Sequence, residues 1–242
     1  CDVRKRRSRR SVTSEQKGRG TRIKRLVGGG GSPSAEAYIE LVPDEQTAFI
    51  GADYGTFTLL EAGIQPIAAI GDFDSVSDEQ YGRIERDVRT VHSFEAEKNE
   101  TDLELAIQYA ASLEPEEIIM TGVTCGRLDH SLSALHLLYT VQQKWPNISF
   151  TIENERNALS IYRGGTHRLG KEERFHYLSL FAMEGTVRPL TLRGVKYEVT
   201  NEQLTLGTTR FTSNEWASNE AIITLQAGVL VVVRTANDTI QA

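Results

Sequence analysis

The chain has 242 residues and a mass of 26.9 kDa, with 39% hydrophobic and 25% charged residues. That balance excludes collagen-like, mucin-like and wholly disordered classes, and the length suffices for one large domain or two smaller ones. The net charge of −6 hides an asymmetry: residues 1–25 hold 11 of the 27 Lys and Arg against only Asp2 and Glu15, so the remainder carries −15.

The chain opens on the basic run Arg4-Lys5-Arg6-Arg7-Ser8-Arg9-Arg10. Such a run could meet nucleic acid or an anionic surface, but like charges in series read first as a solvated tail. Residues 1–21 are therefore expected to be a disordered tail, and nucleic acid is not an expected partner. Thr13 to Lys17 is polar where an export signal would be apolar. The longest run of Val, Leu and Ile is the five residues 229–233. A membrane-spanning helix needs roughly 20 apolar residues, so no membrane partner is expected. Two cysteines, Cys1 and Cys125, make no disulfide framework, which points to a reducing, cytoplasmic setting.

From 23 to 154 short apolar runs alternate with helix-like segments. Strands are expected at 23–27, 47–50, 67–70, 89–92, 117–121 and 148–152, and helices at 56–62, 78–86, 102–113 and 130–143. Ser77-Asp78-Glu79-Gln80 and Thr101-Asp102-Leu103-Glu104 both fit a capping box. This alternation predicts a parallel sheet with helices on its faces, whose ligand site lies beyond the carboxyl ends of the strands. After Asn154 helical periodicity fades. Strand-like runs at 159–162, 177–181, 186–192, 204–209, 222–225 and 229–233 recur between turns at Gly164-Gly165, Glu184-Gly185 and Ala227-Gly228. The expected fold is an α/β domain over 22–154 followed by an antiparallel β-sandwich over 155–242.

Four strand-to-loop junctions could carry chemistry. Gly28-Gly29-Gly30-Gly31 would let backbone amides approach a phosphate, though four glycines also make a linker. In Gly71-Asp72-Phe73-Asp74-Ser75 an extended chain would project Asp72 and Asp74 to one side and Phe73 to the other. Two close carboxylates repel unless a cation lies between them, and hard oxygens suit magnesium; the same residues also make a polar turn. Lys98-Asn99-Glu100-Thr101-Asp102 sets a cation beside a helix start, where a capping role and a phosphate-and-metal role both fit. In Gly122 to His130, Arg127 could clamp phosphate, while Asp129 and His130 could be an acid–base pair or simply begin a helix.

Taken in order, Gly-Asp-Phe-Asp-Ser, Lys-x-x-Thr-Asp and Gly-Arg-x-Asp-His resemble the thiamine pyrophosphokinase family. The likeness continues through Thr191-Leu192-Arg193-Gly194, Leu206-Gly207-Thr208 and Thr212-Ser213-Asn214-Glu215, and covers roughly residues 22–238. It implies magnesium-dependent transfer of pyrophosphate from ATP to thiamine, giving thiamine diphosphate and AMP. It also implies a homodimer with thiamine between the nucleotide domain of one subunit and the β domain of the other. On this likeness Asp72, Asp74 and Asp102 are the metal and catalytic carboxylates. Gly29, Gly30, Asp53, Lys98, Thr101 and Arg127 fall to nucleotide and phosphate binding, and Asp129, Ser213 and Asn214 to thiamine. Trp216 is the candidate aromatic face for the cationic thiazolium, with packing in the β core as the alternative. The chain departs from the family at Asn99, Cys125 and Ala134, where Asp, Gly and Asn are usual; a magnesium-nucleotide or thiamine-binding module without turnover is the alternative reading.

Overall fold

The computed structural model describes residues 25–29, 46–95, 97–124 and 126–237. The basic tail, Gly30 and Cys125 lie outside the described residues. Six strands run parallel: β1 (Arg25–Gly29), β2 (Thr47–Ala52), β3 (Ala68–Gly71), β4 (Val91–Ser93), β5 (Glu117–Thr121) and β6 (Ser149–Glu153). Between them stand α1 (Tyr54–Glu61), α2 (Asp78–Asp87), α3 (Asp102–Ser112) and α4 (Leu128–Lys144). Ser77 closes a complete capping box at the start of α2, and the Thr101 hydroxyl accepts from the Glu104 N–H at the start of α3.

Strand alternation explains how both sheet faces are covered. On β5, Ile118 and Met120 pack with Ile107 and Leu138 in the core under α3 and α4, while Ile119 turns to the other face with Phe49, Leu59 and Ile64. On β3, Ile70 joins the first core and Ala69 joins Leu60, Phe73, Ile84 and Val88. The carboxyl ends of the parallel strands then share one edge, where their loops meet.

The second half consists of β7 (Asn157–Tyr162), β8 (Gly165–Gly170), β9 (Tyr177–Arg193), β10 (Val199–Thr205), β11 (Asn214–Glu215) and β12 (Glu220–Thr235). These pair antiparallel. Because β7 pairs antiparallel with β6, the two halves form one sheet in the order β10-β9-β12-β7-β6-β5-β1-β2-β3-β4. Two expected turns are not turns. Glu184-Gly185 lies inside the 17-residue β9, and Ala227-Gly228 is a bulge inside the 16-residue β12. Gly228 has φ 92, and a Cβ there would lie 2.7 Å from Thr186 O, so only glycine bends the strand without breaking the ladder. Leu178, Leu180, Leu190, Leu192, Ile223 and Val232 of these two long strands share a second core.

Candidate active site

The ends of β2 and β3 are tied together before any side chain is considered. The Asp53 N–H donates to Ile70 O at 2.8 Å, with Asp53 at φ 49 and ψ −126. That conformation strains a residue with a Cβ and is held by its surroundings. Gly71 leaves the necessary room: a Cβ on it would stand 3.1 Å from both N and Cα of Asp53. Asp53 occupies the N-cap position of α1, yet its carboxylate makes no capping bond. Instead it accepts from Ser75 Oγ at 2.5 Å.

Of the extended arrangement and the polar turn that the sequence leaves open, the segment after Gly71 takes the turn. Phe73 has φ 58 and is buried against Tyr81, and the Asp74 N–H folds back onto Asp72 Oδ1 at 3.2 Å. Burial of the Phe73 ring drives the turn, and the Asx-type hydrogen bond completes it. As a result Asp53, Asp72 and Asp74 each present an oxygen within 4.8 Å of the others. Lys98 Nζ stands 3.1 Å from Asp72 Oδ2 and 2.9 Å from Asp102 Oδ1. The acids that converge most closely are thus Asp53, Asp72 and Asp74, with Asp102 joined to them through Lys98. Asp53, assigned to nucleotide by resemblance, enters the acidic cluster because of strand pairing, which adjacency in sequence does not reveal.

Burial raises the Asp53 carboxyl above its ordinary range, and the charges of Asp102 and Asp72 push the same way. Burial also acts against the Asp72 carboxylate, but the Asp74 N–H and Lys98 outweigh it and hold that carboxyl low. Partial burial opposes charge on Lys98, and Asp102 and Asp72 more than restore it, so its ammonium is held above the usual lysine range. Asp53 Oδ1 is buried with no hydrogen-bond partner. An orphaned carboxylate oxygen among three convergent carboxylates fits a hard divalent cation such as magnesium.

The remaining residues of this edge are placed as follows. Gly29 ends β1 beside Gly51 and Thr121. Thr101 is spent as helix cap through its oxygen lone pair, leaving its O–H to donate. Arg127 makes a two-pronged pair with Asp129, Nε to Oδ1 at 3.1 Å and Nη2 to Oδ2 at 2.5 Å. The pair is exposed, and the hydrogen bond from Arg127 brings the Asp129 carboxyl down to about 2. Ala134 is buried in the core on α4, so the departure there has a packing role.

Ser213 and Asn214 lie across the sheet, where β11 pairs with the start of β9. Ser213 is exposed at φ 57 and donates its N–H to Ser179 Oγ at 2.9 Å. Asn214 is buried, and its side chain holds Tyr197 from both sides: Oδ1 accepts from Tyr197 N–H and Nδ2 donates to Tyr197 O, each at 3.0 Å. The clamped Tyr197 is 63% exposed. Trp216 packs partly buried against the β core with its Nε1 buried and unpartnered. Tyr197 was not singled out from sequence; the available signal was an aromatic residue set between Lys196 and Glu198.

Residues 39–150 match the family profile "Thiamin pyrophosphokinase, catalytic domain", and residues 166–230 match "Thiamin pyrophosphokinase, vitamin B1 binding domain". A Bacillus subtilis protein named thiamine pyrophosphokinase is 37% identical over 194 residues, 80% of this chain and 90% of that one. The crystal structure of thiamine pyrophosphokinase from Bacillus subtilis superposes with a TM-score of 0.79 at 34% identity, covering 88% of this chain and 100% of the other. That of a thiamin pyrophosphokinase family protein from Enterococcus faecalis gives 0.79 at 32% identity, covering 89% and 100%. With both profiles matched in order, and the α/β half and β half arranged as in those structures, this chain belongs to the thiamine pyrophosphokinase family.

Proposed function

We propose that the chain transfers a pyrophosphoryl group from ATP to the hydroxyl of thiamine, giving thiamine diphosphate and AMP. The observation that carries this reading is the convergence of Asp53, Asp72 and Asp74 beside Lys98 at the carboxyl edge of a parallel sheet, in a chain of this family. In the reaction the thiamine oxygen bonds to the β-phosphorus, the bond from that phosphorus to the α,β-bridging oxygen breaks, and AMP departs with that oxygen. Magnesium, held by Asp53, Asp72 and Asp74, would neutralise charge on the triphosphate. Lys98 serves the phosphates as a point charge, and the exposed guanidinium of Arg127 exchanges Asp129 for a phosphate. Asp102, across Lys98 from the cluster, accepts the proton lost by the hydroxyl. All these carboxylates are retained, which favours turnover over a module that only binds.

Residues 22–154 are proposed as the nucleotide half and 155–242 as the thiamine half. Ser213 lines the thiamine site, Asn214 acts by positioning, and Tyr197 offers the thiazolium an aromatic face. The strand β9, with which β11 and its Asn214 pair, lies six strand spacings from β2, roughly 29 Å at the usual 4.8 Å spacing. One chain therefore does not bring its own Tyr197 to its own acids, and a homodimer with composite sites is part of the proposal. No described helix is long and apolar enough to cross a membrane, and we assign the work to the cytoplasm, where ATP is at hand. Product analysis with ATP, thiamine and magnesium tests the reading: AMP and thiamine diphosphate should appear in equal amounts. ADP with thiamine monophosphate would refute it.

A further inference from the structure

We infer that Asn154, in the turn between the two halves, is a positioning residue for ATP: its side chain fixes the loop between β5 and α4 that leads into Arg127. The inference rests on the phosphate role proposed above for Arg127 and adds what holds that loop in place.

The loop is lightly anchored. Gly122 and Gly126 have φ of 74 and 85, a region that glycine enters at no steric cost. Between them Val123 is buried in the core under α3 and α4. Among the described residues neither Thr124 nor Gly126 makes a backbone hydrogen bond. Their N–H groups lead directly into the N-terminus of α4, an arrangement suited to phosphate oxygens. Apart from the Val123 side chain, the tie that holds this stretch is the Thr124 hydroxyl, which accepts from Asn154 Nδ2 at 2.8 Å.

Asn154 is itself firmly held. It is 7% exposed and directly follows β6. Strand β6 pairs parallel with β5, Met120 opposite Ile152, so the two strands deliver Thr124 and Asn154 to the same edge. The Asn154 N–H donates to Asn157 O at 2.9 Å. Its Oδ1 accepts from the N–H groups of Arg156 and Asn157 at 2.9 and 2.8 Å, and from Asn157 Nδ2 at 3.3 Å. These donors settle how the amide lies, because only its oxygen can accept. The amide nitrogen is thereby aimed at Thr124. Glu153, the residue before it, is also buried and accepts from Arg174 Nη2 at 2.6 Å, from the segment leading into β9.

The turn needs only the Asn154 oxygen. The nitrogen serves a partner 30 residues away, in the loop before Arg127. A buried side chain with one end fixed in its own turn and the other on a ligand loop sets where that loop stands. The phosphate loop is thus held from the point where the chain crosses into its second half.

Calorimetric titration of the full chain with magnesium–ATP tests this, alongside melting curves and the KM for thiamine. Thr124→Val keeps the turn and removes the tie. ATP should then bind about 2- to 10-fold more weakly, the range of one net hydrogen bond, with melting temperature and thiamine KM unchanged. Thr124→Ser should bind ATP as wild type does. Asn154→Ala should weaken ATP binding equally and also melt lower, since the turn loses its acceptor; adding Thr124→Val to it should weaken binding no further. Asn154→Asp should restore ATP binding, because the Thr124 hydroxyl can rotate and donate to the carboxylate. Unchanged ATP binding in Thr124→Val, or additive losses in the double variant, would overturn the role of Asn154. If Arg127→Ala weakens ATP binding and Thr124→Val does not, the phosphate role of Arg127 stands and the tie alone fails. If neither weakens it, both fail.

Discussion

Lys98 stands between Asp72 and Asp102, its ammonium 3.1 Å from one carboxylate and 2.9 Å from the other. It thereby lets acids from two different strand-to-helix junctions share one small region. Its side chain is only 14% exposed, so the charges are weakly screened.

Replacing Lys98 by Met should cost about 1–3 kcal/mol, because Asp72 loses a charged hydrogen-bond donor and Asp102 loses its ion-pair partner. The pH dependence has a definite sign. Asp72 is held below its ordinary range and Lys98 above its own, so their mutual stabilisation is complete between the two ordinary values. It is lost as pH falls through the lowered Asp72 range. Melting temperatures of wild type and Lys98→Met should therefore differ at pH 7 and converge as pH falls through the lowered Asp72 range. Equal melting at pH 7 would remove the lysine from any structural role.

Asp53→Asn should do the opposite to stability. The Asp53 carboxyl is raised by burial, so its ionised form opposes folding, and that opposition grows as pH rises through the raised range. Asparagine also tolerates positive φ. The variant should match or exceed the wild-type melting temperature at pH 7.5, by less than ~2 kcal/mol in stability, with the advantage fading below pH 4. Turnover should fall by about 100-fold or more, and magnesium should no longer raise the melting temperature. Normal turnover in this variant would remove Asp53 from the site.

Gly71→Ala tests the close approach of β3 to Asp53. A Cβ at 3.1 Å from backbone atoms forces Asp53 to move, at a cost of about 1–3 kcal/mol. Because Asp53 carries the displaced carboxylate, turnover should fall even at temperatures where the variant is fully folded. A folded variant with unchanged kcat would show that the spacing of the two loops is not critical.

Thr101→Ala and Asp102→Asn should separate capping from chemistry. Loss of the Thr101 cap should cost about 0.5–2 kcal/mol and leave activity intact well below melting. Asp102→Asn should cost only about 0.3–1 kcal/mol through the helix dipole, yet reduce AMP formation by orders of magnitude. If Asp102→Asn retains near-normal turnover, Asp102 is a helix-start residue only.

Tyr197→Ala should raise KM for thiamine by about 2- to 30-fold, the range of one cation–π contact, with little change for ATP. Tyr197→Phe should restore most of the loss. Asn214→Ala leaves the Tyr197 N–H without its acceptor and should cost about 1–3 kcal/mol as well as raising KM for thiamine. Unchanged KM in Tyr197→Ala would move thiamine recognition elsewhere.

Local rules were enough for much of this molecule. The β5 span was read from sequence to the residue, and the capping hydroxyls of Ser77 and Thr101 fix the starts of α2 and α3 as expected, because caps depend on neighbours three residues away. The order of short strands and helices was sufficient for a parallel sheet, and the ordered motifs for the family. What adjacency does not encode had to come from tertiary structure. Phe73 turns because its ring finds Tyr81 on α2. Asp53 joins Asp72 and Asp74 because β2 and β3 pair side by side and Gly71 lets their ends approach. Gly185 and Gly228 read as turns in sequence, yet each lies within a continuous strand, since a neighbouring ladder can carry a bent strand past a glycine. Tyr197 became visible only when Asn214, 17 residues away, closed both of its hydrogen bonds on that residue's backbone. Sequence thus determined which groups the chain possesses and the local elements that bear them, whereas long-range strand pairing and ring burial decided which of those groups meet.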